Sequence, residues 1–228
     1  MVSSISGLPV YTAEHLDCDP AVTICFTGHR PEKIAPFRDN AAFSALTVSV
    51  IEMLLYRYVE LAEERGFVNF ISGLAKGADL WAAKSVIRRK QSGSNIRLIG
   101  AMPFMRHAEK LYGRNKAELA EVERNSDILI TVNPDPVITF GKKASPGQSP
   151  HLYSDRNRFM VDNSSAVIAF YDDDGHSWSG TGQTVRYAEN SGKTVYRFGT
   201  SEVYDIIRSS EGNIDAARDI ISRIKAPF

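Results

Sequence analysis

Cysteine is scarce in this chain. Of its 228 residues only Cys18 and Cys25 carry a thiol. They form no CxxC pair, so a disulfide framework and a thiol metal or redox motif are both excluded. Cys25 falls inside an apolar run and reads as a small buried hydrophobe. The chain also lacks a surplus of either charge, with 27 basic and 27 acidic side chains. Nucleic-acid binders usually carry a basic excess or stripe, so the balance argues against a nucleic-acid partner. No apolar stretch approaches the ~20 residues of a membrane span. Nothing near the N-terminus reads as a signal peptide, and the expected compartment is the reducing cytoplasm. The five histidines, His15, His29, His107, His151 and His176, show no zinc-ligand spacing. No metal site and no cofactor are identified, and there is no internal repeat or low-complexity tract.

What is present is ordinary for a globular protein: 43% hydrophobic and 24% charged residues. A chain this long buries a full core without staples. Residues 1–20 show no sustained periodicity and read as a loosely packed N-terminal extension. A nucleotide-binding domain is expected over 21–199, and a C-terminal helical segment over 200–228. Within the domain, short β-rich runs at 22–26, 67–71, 96–101, 127–132, 166–171 and 194–198 alternate with helical patterns at 40–65, 76–91, 106–124, 153–163 and 181–191. In the first helix Phe43, Leu46, Val50, Leu54 and Leu61 mark the apolar stripe. Residues 133–152 form a proline-bearing insertion, read either as a lid or as an inert loop. The tail places Ile214, Ala217, Ile221 and Ile224 on one stripe, for docking on the domain or for a subunit contact. Alternating strands and helices predict an α/β, Rossmann-like, doubly wound and mainly parallel sheet with helices on both faces. Strands without strict polar alternation agree with that.

Glycine-bearing turns follow several of these strands: Thr27-Gly28-His29-Arg30, Ser72 to Asp79, and Ser179 to Thr184. In a parallel sheet the strands end on one edge, so such turns can converge on one ligand. The last two run into helices, whose first N–H groups are unpaired and carry partial positive charge. That combination suits a phosphate. Gly73 and Gly77 bracket one turn, with Ser72 as a hydroxyl donor. Lys76 either neutralises phosphate or is solvated. Asp79 either matches the helix N-terminus or accepts from a ribose hydroxyl. Gly180, Thr181, Gly182 and Thr184 form a second cradle, or an ordinary helix entrance. Arg30 suits bidentate phosphate contact; the alternative is an ion pair within its loop. His29 is placed for a ribose hydrogen bond or for acid–base work. The acidic run Asp172-Asp173-Asp174 suits a divalent ion or ribose hydroxyls, with a solvated loop as the favoured reading. Gly192-Lys193-Thr194 mimics the end of a Walker A motif, but Tyr187 stands where its first glycine belongs and the stretch leaves a helix rather than entering one.

Phe26-Thr27-Gly28-His29-Arg30-Pro31, the stretch from Ile71 to Ala83, Arg156 to Asp162 and Gly180 to Val185 resemble, in order, the YpsA-type proteins of the SLOG superfamily. The resemblance spans roughly residues 22–198. It implies a Rossmann-like domain that binds nucleotides or their derivatives, such as ADP-ribose or NAD-like molecules. It adds Arg156 and Asn157 to the expected site, although local helix capping is the alternative role for Asn157. Catalytic residues stay unknown. A related phosphoribohydrolase group carries a Pro-Gly-Gly-x-Gly-Thr-x-x-Glu motif; here Thr184 occupies the glutamate position, which removes the expected catalytic acid. The DNA-processing DprA proteins share the Ser72 to Asp79 turn and bind single strands. Three functions are therefore in competition: sensing or sequestering a nucleotide-derived small molecule, N-glycosidic hydrolysis of such a molecule, and single-stranded DNA binding. The first is favoured, because phosphate cradles are present without a clear acid–base pair. By analogy with the fold group, a homodimer is expected.

Overall fold

The computed structural model describes residues 4–34, 41–134, 149–173 and 179–225. Most of the proline-bearing insertion, along with Pro36, Asp174, His176 and Trp178, lies outside the described residues. Seven parallel strands form one sheet: β1 (Val10–Thr12), β2 (Thr23–Gly28), β3 (Asn69–Ser72), β4 (Arg97–Phe104), β5 (Ile128–Asn133), β6 (Ala166–Phe170) and β7 (Thr194–Phe198). Their order across the sheet is β1-β5-β4-β3-β2-β6-β7. Seven α-helices accompany them among the described residues: α1 (Ala41–Glu64), α2 (Ala78–Gln91), α3 (Gly113–Asn125), α4 (Ser149–Asp162), α5 (Gly180–Asn190), α6 (Thr200–Ser209) and α7 (Ile214–Ser222). The architecture is the doubly wound α/β sheet that the alternating pattern requires.

Side chains alternate across each strand with period two. Ile24, Phe26, Phe70 and Leu98 point to the core shared with α1, α2, α3, α6 and α7. Cys25, Ile71, Ile99 and Val167 point to a second core, closed by Met160 and Val161 of α4 and Ala188 of α5. Both faces are therefore dry, which explains why the central strands read as continuous apolar runs. The α1 stripe is buried at Val50, Leu54 and Leu61. The tail docks on the same core through Ala217 and Ile221, after α6 has contributed Val203, Ile206 and Ile207.

The N-terminal segment differs from expectation. Rather than packing loosely, residues 10–12 add an edge strand, with Val10 opposite Leu129 and Thr12 opposite Thr131. The Ser6 amide donates to Oε2 of the buried Glu123 at 3.1 Å. A three-residue strand carries too little sequence for a periodic signal; its pairing is supplied by an already formed β5.

The strand order fixes where a ligand would sit. From β2 the chain moves to one side through β3, β4 and β5, then returns to the other side of β2 with β6 and β7. The carboxyl end of β2, between β3 and β6, is thus the topological switch point, where open α/β sheets place their ligands.

Candidate functional site

The loops after β2, β3 and β6 and the head of α5 meet at this point. Gly28 ends β2 and permits the meeting. A Cβ there would lie 2.5 Å from Ala78 Cβ and 3.0 Å from both Cβ and the carbonyl oxygen of Phe170. The Gly28 carbonyl accepts a hydrogen bond from Thr181 Oγ1 at 3.0 Å, which ties α5 to β2. Gly77, at φ +91°, precedes α2 in a conformation that other residues avoid. Its would-be Cβ lies 2.7 Å from Pro31 Cδ and 2.8 Å from the His29 carbonyl.

The turn from Ser72 to Asp79 is occupied by its own residues. Ser72 Oγ donates to the Asp79 carbonyl at 2.8 Å and accepts from the Leu74 amide at 3.2 Å. The Ala75 amide donates to Asp79 Oδ2 at 3.4 Å, and the Ala78 amide to the His29 carbonyl at 3.3 Å. Leu74, fully buried, holds a φ of +55°, a conformation that side-chain-bearing residues keep only where surrounding contacts enforce it. Over the turn lies Arg156 of α4, buried, donating from Nη1 to the Gly73 carbonyl and standing 3.6 Å from Asp79 Oδ2. Burial pushes the Asp79 carboxyl up against the opposing pull of Arg156, and pushes the Arg156 guanidinium down against the pull of Asp79. Arg156 Nε has no hydrogen-bond partner among the described residues.

The head of α5 is open where that of α2 is not. Ser179 caps the helix by accepting from the Gly182 amide at 3.0 Å. The amides of Gly180 and Thr181 are assigned no acceptor among the described residues. In front of them is a cavity of about 380 Å³. Thr27, Gly28, Arg30, Asp79, Arg156, Asn157, Gly180 and Thr181 line it, as the sequence expected. So do Phe26, Lys33, Ala75, Tyr153 and Ser179, which the sequence did not single out. Neither Arg30 nor Lys33 forms an ion pair with an acid among the described residues, whereas their neighbours Lys76 and Arg156 do.

The remaining expected residues serve the cavity from behind or stand outside it. Ser72 and Gly73 hold Asp79 and Arg156 in place. Thr184 is buried; its hydroxyl donates to the Gly180 carbonyl and accepts from Asn157 Nδ2, each at 2.8 Å. Gly182 faces the Tyr171 hydroxyl, not the cavity. Lys76 pairs with Glu32 and leaves no charge free for the cavity. His29 is buried under the rim. Its Nε2 lies 3.0 Å from the Asp172 amide and 3.5 Å from Asp172 Oδ2, so the ring is held by Asp172 rather than turned to the cavity. Asp172 is not a solvated acid: its Oδ1 accepts from the Thr200 amide at 2.7 Å, at the start of α6. Lys33 and Tyr153 carry no motif that would mark them in sequence. They are positioned by the short turn after Pro31 and by the docking of α4.

Among the described residues, no group of three or more His, Cys, Asp or Glu side chains could hold a metal ion, and no helix is long and apolar enough to cross a membrane.

The chain is 18% identical to DNA processing protein A (DprA) from Streptococcus pneumoniae, over 78% of this chain and 50% of that one, with a TM-score of 0.44. It is 16% identical to DNA processing protein A from Helicobacter pylori, described for its single-stranded DNA binding mode, over 89% and 80%, with a TM-score of 0.46. The expectation that nucleic acid is an unlikely partner is corrected here: both neighbours are DNA-processing proteins, and single-stranded DNA binding is stated of one of them. The physical weakness of that expectation lies in the use of net charge, a sum over the whole surface. Two cations without acidic partners at one rim, Arg30 and Lys33, offer local positive charge that the balanced total conceals. Among sequences, a prophage-derived protein, YoqJ, of Bacillus subtilis is 31% identical over 61% of this chain and 80% of its own length. A UPF0398 protein of Staphylococcus saprophyticus is 22% identical over 67% and 73%. The model of the YspA SLOG family matches residues 24–202, covering every strand but β1 and all the cavity-lining residues. The chain belongs to the YspA SLOG family.

Proposed function

We propose that this protein binds a nucleotide or nucleotide derivative, of the ADP-ribose or NAD-related kind, and senses or sequesters it in the cytoplasm. A phosphate of the ligand rests at the head of α5. One observation carries the reading. The open amides of Gly180 and Thr181 face the same cavity as the unpaired cations Arg30 and Lys33 and the buried Arg156, whose Nε lacks a partner. A helix N-terminus alone is weak evidence; a buried guanidinium in the wall of the same cavity is a second and independent reason to place an anion there. Asp79 shares the wall, and the buried Arg156 stands 3.6 Å from its carboxylate.

Isothermal titration against AMP, ADP-ribose and NAD tests the proposal. At least one ligand is expected to bind. Arg30→Ala is expected to weaken it roughly 10-fold or more, the usual worth of a charge-assisted hydrogen bond. Absence of binding to every member of the panel at millimolar ligand overturns the reading.

A second reading, cleavage of the glycosidic bond of the same ligand, is favoured by Asp79 alone: a buried acid with a raised carboxyl in a cavity wall is a common catalytic arrangement. Incubation with NAD, ADP-ribose and AMP, followed by chromatography for released base, separates the two. Intact substrate across the panel removes this second reading and leaves the first.

A further inference from the structure

Beside the phosphate cavity, on the far side of Arg30, is a smaller hollow of about 170 Å³. We infer that this hollow receives the base of the nucleotide, stacked between Tyr112 and Tyr153 with the Asn115 amide at its edge. The inference rests on the binding reading above and deepens it by assigning the base-recognising residues.

Position comes first. Arg30, Ala75 and Tyr153 line both spaces. A base is joined to its phosphate through one ribose, so its site must adjoin the phosphate site, and this hollow does. Together the two spaces fall within the roughly 300–1,000 Å³ typical of small-molecule sites.

Chemistry comes second. Leu74 and Leu111 supply aliphatic walls, and the two tyrosines supply π-faces. Asn115 brings a donor and an acceptor, neither engaged with another described residue, and Lys76 and His107 complete the lining. Polar groups set among apolar and aromatic walls are the usual composition of a specific small-molecule pocket. The groove between α4 and α5 is lined by Ser154, Asn157, Arg158, Gln183, Arg186 and Tyr187, with the Arg158 guanidinium over the Tyr187 ring at 5.6 Å. Its aromatic face is thus already engaged by a cation, and it has no aliphatic wall for a base.

The tyrosines themselves are the third observation. Tyr112 is 83% exposed, whereas the next most exposed large hydrophobic among the described residues, Val68, is 42% exposed. Leaving an aromatic ring in water forgoes the stabilisation that burying it would give. A ring held out at the mouth of a hollow is accounted for by a partner that covers it. Tyr153 is the fixed counterpart. Its ring packs edge-on against the fully buried Phe104, with centroids 6.2 Å apart at 84°, so the floor of the hollow is preset before a ligand arrives.

The test compares AMP with ribose 5-phosphate, which keeps the phosphate and sugar but has no base. Wild type and Tyr112→Ala are titrated with each. Tyr112 is exposed, so the variant keeps the fold, and a circular dichroism melt checks this. The variant is expected to bind AMP about fivefold to tenfold more weakly, the lower range for base–aromatic stacking. Its affinity for ribose 5-phosphate is expected to stay unchanged. Equal loss for both ligands, or loss for neither, overturns the base assignment. If Arg30→Ala then still weakens both ligands, the phosphate reading stands without it. If wild type binds neither ligand, the base assignment falls; the phosphate reading falls with it only if ADP-ribose and NAD also fail to bind.

Discussion

Gly28→Ala is the sharpest probe of how the site is assembled. Gly28 does not hold a positive φ, so alanine is conformationally admissible. Replacing a strand glycine would ordinarily stabilise by roughly 0.5–1 kcal/mol through the unfolded state. Here the added methyl would stand 2.5 Å from Ala78 Cβ and 3.0 Å from the Phe170 Cβ and carbonyl. None of these atoms is the tip of a mobile side chain. Relief requires α2 to retreat from β2, or β2 to part from β6. Overpacking of this kind costs about 1–3 kcal/mol. The net expectation is a destabilisation of about 1–2 kcal/mol, with the sign set by the clash. Urea unfolding reads it as a lower midpoint at unchanged slope. The companion variant Ala78→Gly removes the nearest obstructing carbon, at a propensity cost of at most about 1 kcal/mol. In the double variant the two changes are expected to be less damaging than their sum, by about 1 kcal/mol or more, because they share one contact. Rescue is partial, since the Phe170 contacts persist. A single variant as stable as wild type, or strict additivity in the double variant, refutes the claim that Gly28 is required by the approach of α2.

Glu123 is buried, and burial, opposed by hydrogen bonds from Ser6 and Ser4, holds its carboxyl above the ordinary value of 4.5. A raised folded-state value favours the native protein below 4.5, and that advantage is lost as pH climbs through the folded value; Glu123→Gln is expected to flatten this part of the profile of urea midpoint against pH. Asp172→Ala removes the acceptor for the Thr200 amide and is expected to cost about 1 kcal/mol, the usual worth of a helix cap, measured as a shift in the unfolding midpoint. Burial pushes the Cys25 thiol up to about 12, while Cys18 is half-buried; a thiol reagent is expected to label Cys18 alone in the native protein and both cysteines in denaturant.

The sheet was legible because its signal is local. The run Thr23 to Phe26 and the apolar stretch at 166–170 announce buried strands from their own residues, and the glycines after them announce the edge. The site was legible in part. Gly28, Arg30, Gly180 and Thr181, which line the candidate cavity, stand out from turn chemistry alone, since a phosphate-compatible turn needs small residues and a free cation at fixed places. The fate of Asp79 was not. It depends on Arg156 arriving from a helix 77 positions later in number, and no spacing rule reports which helix will dock over a given turn. The same holds for Lys76, whose partner Glu32 lies in another loop. The helix expected at 106–124 begins later, as α3 at Gly113, after a short 3₁₀ turn over His107–Lys110. That break in the helix is what places Tyr112 at the mouth of the hollow.

The edge strand has a consequence for synthesis. Val10 leaves the ribosome early, yet the residue it pairs with is Leu129. Until that later stretch emerges, the first strand has nothing to zip onto, and its pairing can only come after most of the neighbouring sheet has been translated. Closure of this margin is therefore expected to be a late event in the maturation of the chain.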